Sequence, residues 1–147
     1  MIKLRTARAD ELEILNRMDC QPHARRFVNQ TGIETHTQYF NDPDIFHLCI
    51  EKGRGEFCGY FILVREGDSG SVEFRRILID AGQRGVGQAA IEEMERYCRS
   101  ELRAQRIWLD VYEDNEVGIH IYEKMGYKRF KEERVGERML LFYDKQL

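Results

Sequence analysis

Apolar and polar residues alternate at the start of the chain, over residues 2–5. Strict alternation is typical of a half-buried β-strand, so these residues predict a first strand. Asp10 then precedes apolar residues that fall on one helical face, namely Leu12, Leu15 and Met18. An aspartate in this place favours the N-cap of a helix. The chain is therefore predicted to begin with a strand, followed by a helix capped by Asp10.

Three runs rich in aromatic and β-branched residues are predicted strands: residues 45–50, 57–64 and 71–79. The turn residues Gly53-Arg54-Gly55 separate the first two runs, and a second turn at residues 66–70 separates the last two. This arrangement predicts an antiparallel meander. Between residues 21 and 42 the pattern is irregular, and Pro22 and Thr35 are predicted starts of short helices there.

The strongest helical pattern begins just before residue 86 and continues to about residue 102. Its apolar residues share one face: Ala90, Ile91, Met94, Cys98 and Leu102. The pairs Glu92–Arg96 and Glu95–Arg99 have the spacing of ion pairs on the opposite face. Residues 106–112 then alternate as a strand, and the helical crossover predicts that this strand is parallel to the one before it.

Asn115 or Asp114 is the predicted N-cap of the last helix, and Gly126 is its predicted C-terminal cap. Its apolar residues recur every four positions, at Val117, Ile121 and Met125. Residues 127–134 and 139–143 predict a closing hairpin. The sequence thus indicates a mixed α/β (α+β) fold.

The amino-acid composition limits which classes of protein this chain can belong to. With 147 residues, of which 42% are hydrophobic, and no linker-like segment, we expect a single domain over residues 1–147. The net charge of −3, with both signs interspersed, argues against a nucleic-acid surface. No run approaches the roughly 18 apolar residues of a membrane span, and the start lacks a signal peptide's apolar core. The four cysteines and four histidines lack metal-ligand spacing, so we expect buried thiols, no metal and a cytoplasmic setting.

The segment Arg84-Gly85-Val86-Gly87-Gln88-Ala89 joins the third meander strand to the long helix. Glycines let the backbone approach a ligand closely, and a helix start offers N–H groups and a positive dipole end to an anion. This segment therefore predicts a phosphate-binding loop. The spacing Gly85-x-Gly87-x-x-Ala90 also fits a dinucleotide-binding fingerprint, with Asp110 as a ribose partner. Because a meander precedes the loop, that interpretation is disfavoured, and Asp110 is expected to be an ordinary outward-facing strand carboxylate.

The loop resembles a signature of the GNAT family of N-acetyltransferases, with Arg84, Gly87 and Ala89 at its fixed positions. Asn115 and the later segment Tyr122-Glu123-Lys124-Met125-Gly126-Tyr127 resemble a second signature of that family. The resemblance covers essentially the whole chain. It implies the GNAT acyltransferase fold, a mixed six- to seven-stranded sheet flanked by about four helices. It looks closest to the branch that includes spermidine and ribosomal-protein N-terminal acetyltransferases.

The resemblance implies acetyl-CoA as the acyl donor. Three sets of residues are implied to contact it: the pyrophosphate loop Arg84, Gly85, Val86, Gly87, Gln88 and Ala89; the pantetheine-binding strand residues Ile77, Leu78 and Ile79; and Asn115 with Tyr122. Glu73 is implied to be the catalytic base, although a solvated carboxylate facing Arg75 or Arg76 is an equal alternative. Tyr122 is implied to protonate the leaving thiolate, a role compatible with packing of its ring on the core.

The acceptor is implied to be a small-molecule amine or a peptide N-terminus, and the protein a monomer or homodimer. The implied acceptor pocket involves residues 21–42, where no motif identifies the amine. His36 and Tyr39 are expected to pack there without a chemical role. Two alternatives stay open: a catalytically silent acetyl-CoA-binding regulator, and a dinucleotide-binding module that uses Gly85, Gly87 and Ala90.

Overall fold

The chain folds around one mixed β-sheet, and the computed structural model describes residues 1–21, 32–80, 83 and 85–147. The strands in these ranges are β1 (Ile2–Thr6), β2 (Ile45–Lys52), β3 (Glu56–Arg65), β4 (Ser71–Ile79), β5 (Arg106–Tyr112), β6 (Lys128–Val135) and β7 (Arg138–Gln146). The α-helices are α1 (Leu12–Asp19), α2 (Ile33–Phe40), α3 (Val86–Ser100) and α4 (Glu116–Lys124). The strand order is β1-β2-β3-β4-β5-β7-β6, so the predicted mixed α/β architecture with seven strands is confirmed.

Strand pairing follows the predicted meander and crossover. Strands β1 to β4 pair in sequence as antiparallel neighbours, whereas β4 and β5, joined through α3, are parallel. The parallel ladder is short, because it contains only the pairs 71–106, 72–107 and 73–108. Beyond Glu73 and Trp108 the two strands separate, and we call this opening the fork. The other side of β5 pairs with β7, which pairs with β6.

A β-bulge lies in β4 where the fork begins. Ile62 of β3 pairs with Arg76 and Leu63 pairs with Phe74, so Arg75 is an extra residue without its own partner in this ladder. A bulge shifts the alternation of side chains along its strand. Residues on both sides of the bulge therefore reach the α3 side of the sheet: Val72, Phe74, Ile77 and Ile79.

Apolar side chains cover both faces of the sheet. Beneath α3 the buried residues include Phe61, Met94, Ile107 and Tyr143. The opposite face packs against α1 through residues that include Leu15, Tyr60, Ile62 and Leu78. Burial of each large aliphatic or aromatic side chain contributes about 1.5–3 kcal/mol, so these two layers hold the helices on the sheet. In the described ranges no helix is both long and apolar enough to cross a membrane.

Two helix starts differ from the prediction. Asp10 is not an N-cap, because it lies within a short 3₁₀ turn and α1 begins only at Leu12. Glu11 is the residue before α1, but its side chain does not cap that helix. Its carboxylate accepts hydrogen bonds from the Arg8 backbone N–H, at the start of the 3₁₀ turn, at 2.8 Å and from Arg5 at 2.7 Å. Helix α2 begins at Ile33, two residues before Thr35. The predicted helix start at Pro22 lies outside the described residues.

The ion pairs on α3 also differ from the prediction. Glu95 is buried and contacts Lys145 of β7 at 2.9 Å, so it does not pair with Arg99 on the solvent face. Arg96 pairs with Glu93, one turn away on the same helix. Glu95 faces β7 and not solvent, and the contact with Lys145 in another element determines this orientation.

Candidate functional site

The fork opens a cleft of about 650 Å³ between β4 and β5. Most of its lining comes from residues 73–79 of β4, residues 109–112 of β5, Gly87 and Ile91 of α3, and Gly118, Ile121 and Tyr122 of α4, and Leu140 of β7 contributes as well. Asn115, just before α4, and Thr35 and Tyr39 of α2 also lie at its edge. The cleft therefore brings together most of the residues that the sequence singled out.

The first turn of α3 forms one end of the cleft. Gly85 precedes the helix in the left-handed conformation, with φ of 74°, which glycine adopts without strain. The first-turn N–H groups lack intrahelical acceptors, and no acidic side chain lies in that turn to compensate them. A Cβ atom added to Gly87 would meet no described atom within 4 Å and would project into open space. This end of the cleft suits a phosphate group held by backbone amides.

The predicted loop residues differ in how they face this space. Gly87 lines the cleft, whereas the side chain of Val86 is buried in the core. Gln88 is exposed and Ala89 is partly buried on the same first turn. The predicted phosphate-binding role requires only their backbone amides, which lie at the start of the helix. Arg84 lies outside the described residues.

Ile77, Leu78 and Ile79 form the long wall of the cleft. The β4–β5 ladder ends at Glu73, so beyond that residue no described strand pairs with this edge of β4, which lines the cleft. The other edge of β4 is held very close to β3. A Cβ atom added to Gly59 would lie only 2.1 Å from the carbonyl oxygen of Leu78, so glycine is required there.

Asn115 caps α4 as predicted, because its Oδ1 accepts a hydrogen bond from the Gly118 N–H at 3.0 Å. A Cβ atom at Gly118 would lie 2.9 Å from the side-chain nitrogen of Asn115, so the glycine leaves room for the cap. Asn115 also lines the cleft, and its contact with the acyl donor stays a prediction.

Tyr122 reaches the cleft from the core side of the sheet. Its ring packs edge-on against Phe74, with centroids 5.8 Å apart, and against Tyr127 at 6.1 Å. Within the described residues its hydroxyl has no hydrogen-bond partner. Burial, and secondly the negative charge of Asp110, raise the pKa of Tyr122 to about 12. At neutral pH the phenol therefore carries its proton and is available as a donor in the cleft.

Glu73 faces the cleft from β4 and is paired with the bulged Arg75. The Arg75 Nε donates to Oε2 at 3.1 Å and its Nη2 donates to Oε1 at 2.8 Å. The Arg75 guanidinium also lies over the ring of Tyr39, 5.3 Å from its centroid, and these hydrogen bonds raise its pKa. Glu73 therefore pairs with Arg75, as the predicted alternative to a catalytic role had it, and it also lines the cleft.

Asp110 is the cleft residue that the sequence misplaced. It does face outward from the buried side of β5, as predicted, but the fork makes that outward face a wall of the cleft. Asp110 is solvent-exposed, but neighbouring atoms of the cleft remove part of its solvation and raise its pKa, and the negative charge of Glu73 adds to this effect. Alternation along residues 106–112 gives the face of Asp110, but nothing in the sequence marks where the two strands separate.

A buried polar network lies behind the β4 wall of the cleft. Fully buried Asp19 accepts hydrogen bonds from His36 Nε2 at 2.9 Å, from Arg76 Nη1 at 3.1 Å and from the Tyr60 hydroxyl. His36 Nδ1 lies 3.1 Å from His47 Nε2. Burial, followed by the nearby charges of His36 and Arg76, lowers the pKa of His47 to about 4. The network reaches the cleft through Arg76.

No pattern in the sequence predicted this network. His36 packs as predicted, yet it also links two buried polar residues, and Tyr39 lines the cleft although no chemical role was assigned to it. Asp19 lies 17 positions before His36 in the chain, and His47 lies 11 positions after it. No local pattern connects residues at such separations.

Comparisons with known proteins agree with this geometry. A sequence model described as the Acetyltransferase (GNAT) family matches residues 9–127. Acetyltransferase ECA0875 of Pectobacterium atrosepticum is 25% identical over 95% of this chain and 96% of its own length. The uncharacterised N-acetyltransferase Rv2669 of Mycobacterium tuberculosis is 30% identical over 62% of this chain and 58% of its own.

Solved structures share the fold at low sequence identity. The spermidine N-acetyltransferase of Vibrio cholerae, in complex with CoA and spermine, superposes with a TM-score of 0.84 at 15% identity. That superposition covers 99% of this chain and 95% of the other. A candidate phosphinothricin N-acetyltransferase gives a TM-score of 0.79 at 19% identity, over 100% of this chain and 99% of its own.

Proposed function

Because this chain belongs to the GNAT family of acetyltransferases and transfers an acetyl group from acetyl-CoA to an amine, we propose that the fork is its active site. The observation that carries this proposal is the convergence of three features in one cleft: an uncompensated helix start, an open strand edge and a protonated tyrosine. We propose direct attack of the amine on the thioester, with both substrates bound together. Positioning the two reactants in one site supplies much of the acceleration in such a step.

In this proposal the donor lies along β4 with its pyrophosphate at the start of α3. The backbone amides of residues 84–89 bind the phosphates, and the main chain of residues 77–79 binds the pantetheine arm as an added strand would. Asn115 contacts the donor from the opposite wall. The thioester then lies in the fork beside Tyr122.

The reaction requires movement of protons at two places. An alkylamine with a pKa of about 10.4 is almost entirely protonated at neutral pH, so a proton must leave before the nitrogen can attack. We propose that Glu73, fixed by Arg75, attracts the ammonium group and takes part in its deprotonation, directly or through water. When the C–S bond breaks, the Tyr122 hydroxyl gives its proton to the departing thiolate.

We propose a primary amine of a small molecule, or a peptide N-terminus, as the acceptor. The acceptor side of the cleft carries both charge signs, from Glu73, Asp110, Arg75 and Arg76. The enzyme is proposed to act as one domain, as a monomer or homodimer, in the cytoplasm. Free thiols at Cys49, Cys58 and Cys98, all buried, are consistent with a reducing compartment.

Acetyl-CoA consumption, followed by chromatography over polyamines, peptide N-termini, aminoglycosides and amino acids, tests the proposal. Tyr122→Phe should lower kcat by about 10²–10⁴ while leaving acetyl-CoA affinity in calorimetry unchanged. Gly87→Trp should abolish acetyl-CoA binding, whereas Glu92→Trp, on the exposed face of α3, should not. Tight acetyl-CoA binding without turnover on any of these amines would leave either an acceptor outside the set or the silent regulator. Unchanged acetyl-CoA affinity in Gly87→Trp would contradict the assigned phosphate site.

A further inference from the structure

The bulge in β4 places two consecutive arginines on the same face of the sheet. In a regular strand, consecutive side chains point to opposite faces. Phe74 and Ile77, on either side of the arginine pair, both pack on the α3 face. Arg75 and Arg76 instead contact side chains of α2 and α1, which lie on the other face. Both arginines line the cleft, so two adjacent guanidinium groups border the part of it that α2 approaches.

The guanidinium group of Arg75 is fixed on two sides. Its Nε and Nη2 donate to the carboxylate of Glu73 at 3.1 and 2.8 Å, and it lies over the ring of Tyr39, 5.3 Å from the centroid. The bonds to Glu73 use two of the five N–H groups that an arginine presents. The Arg75 side chain is 32% exposed. It can therefore bind a second anion from the cleft while it still holds Glu73.

Arg76 is held from the interior of the protein. Its Nη1 donates to Asp19 at 3.1 Å, and the same buried carboxylate accepts hydrogen bonds from His36 and from the Tyr60 hydroxyl. A buried ion pair of this kind contributes little to stability compared with apolar side chains of similar volume. We therefore attribute to the network a second effect, which is to fix a positive charge at the wall of the cleft.

The order of charges along β4 suits a ligand with both an ammonium group and a carboxylate. Glu73, proposed above to attract the ammonium group, lies directly beside Arg75. An α-amino acid carries both of its charged groups on one carbon atom, so the two groups can reach neighbouring partners together. The planar guanidinium group binds a carboxylate through two parallel hydrogen bonds. A polyamine offers no anion to the arginines, and a second ammonium group beside them would be repelled.

We propose that Arg75 and Arg76 form an anion subsite for the acceptor, and that the acceptor is a small primary amine with a carboxylate, such as an α-amino acid. This inference rests on the proposed function, because it assigns the acceptor of the same cleft. The ammonium group lies beside Glu73, and the carboxylate lies against the two guanidinium groups. Polyamines, and peptide N-termini without a nearby carboxylate, are then poor acceptors.

Binding of acetylated amino acids tests the subsite without turnover. The probes are the N-acetyl forms of the common amino acids, each paired with its carboxamide, and ligand-observed NMR measures their affinity for the protein with coenzyme A bound. Acid and amide differ chiefly in the charge of the group that the arginines would contact. For at least one pair, the acid should bind about 10- to 100-fold more tightly, as expected for hydrogen bonds to a charged group. Equal affinities in every pair, or no binding of any acid, would overturn the proposal.

Conservative variants identify the residues responsible. Arg75→Lys and Arg76→Lys keep each positive charge beside Glu73 or Asp19 but remove the planar fork, so each should lower the ratio of acid to amide affinity by about 10-fold. Arg65→Lys is the matched control, because Arg65 also pairs with a carboxylate and lies over a phenylalanine ring, at 5.5 Å, but does not line the cleft. An unchanged ratio in both cleft variants, or an equal fall in the control, would overturn the proposal.

Acetyl-CoA consumption gives a separate readout. Free amino acids should have a higher kcat/KM than their amides and than polyamines, although the carboxylate makes the neighbouring amine more basic and so less often unprotonated. Preferred turnover of polyamines or amides would overturn this inference and leave the proposed function intact. Failure to bind coenzyme A would contradict the proposed active site, and with it the subsite, so the two failures are distinguishable.

Discussion

Replacement of Asp19 by asparagine removes one negative charge from the buried network while keeping the shape of the side chain. Asp19 has no exposed surface and accepts hydrogen bonds from Arg76 at 3.1 Å, His36 at 2.9 Å and the Tyr60 hydroxyl. Removal of one partner from a buried ion pair leaves the other charge uncompensated and costs about 3–5 kcal/mol. Asparagine still accepts one hydrogen bond, so we expect a loss of about 3 kcal/mol, a large fraction of the 5–15 kcal/mol typical of a domain.

Urea unfolding, followed by circular dichroism and by the fluorescence of Trp108, measures this loss. The urea midpoint should fall with an unchanged slope, and the melting temperature should drop by about 6–12 °C for a domain of this size. Asp44→Asn is the matched control, since Asp44 also accepts hydrogen bonds from an arginine, Arg65, at 3.1 Å. The Asp44 side chain is 48% exposed, so its variant should lose at most about 1 kcal/mol. If Asp19→Asn loses no more than Asp44→Asn, the reasoning about buried charge is refuted.

Two further changes probe the sheet and its pH dependence. Gly59→Ala places a Cβ atom 2.1 Å from the Leu78 carbonyl oxygen and must push β3 and β4 apart, at a cost of about 1–3 kcal/mol in the free energy of folding. Because β4 forms a wall of the cleft, calorimetry should then show weaker acetyl-CoA binding. Wild-type affinity would contradict the role assigned to this strand. The pKa of His47 in the folded protein is about 4, below its ordinary value of 6.5. Between these pH values the unfolded chain therefore binds more protons than the folded one, so the free energy of unfolding falls as the pH drops from about 6.5 to 4. In His47→Gln the urea midpoint should change less with pH over that interval. An equal pH dependence of the midpoint in both proteins would count against this explanation.

Local sequence patterns predicted much of the fold because many of its helices and strands depend on residues that are close together in the chain. Alternation over residues 106–112, the Asn115 cap and the glycine loop before α3 each depend on neighbours in the chain, and each element lies where it was expected. The prediction of an N-cap at Asp10 was wrong because residues 9–11 form a 3₁₀ turn. The Glu11 carboxylate holds this turn by accepting hydrogen bonds from the Arg8 N–H and from Arg5 of β1. That choice depends on a contact between elements.

The candidate site was less predictable because its geometry depends on where strands stop pairing. The bulge at Arg75 and the end of the ladder at Glu73 are properties of β3, β4 and β5 together. They convert Asp110 from an outward-facing residue into a wall of the cleft, and they bring Arg76 to Asp19. The family resemblance predicted the residues expected to contact the donor, together with Glu73 and Tyr122, whereas the place of Asp110 in the cleft required the three-dimensional arrangement.

The short parallel ladder gives the sheet an internal seam. Three residue pairs join the half made of β1 to β4 to the half made of β5 to β7, fewer than join any other neighbouring strands of the described sheet. Helix α3 braces this seam, because it packs against β1 in one half and its Glu95 contacts Lys145 of the other. The first turn of the same helix forms the end of the cleft where we propose that the phosphates bind. A donor bound there as proposed would act directly on the element that joins the two halves of the sheet.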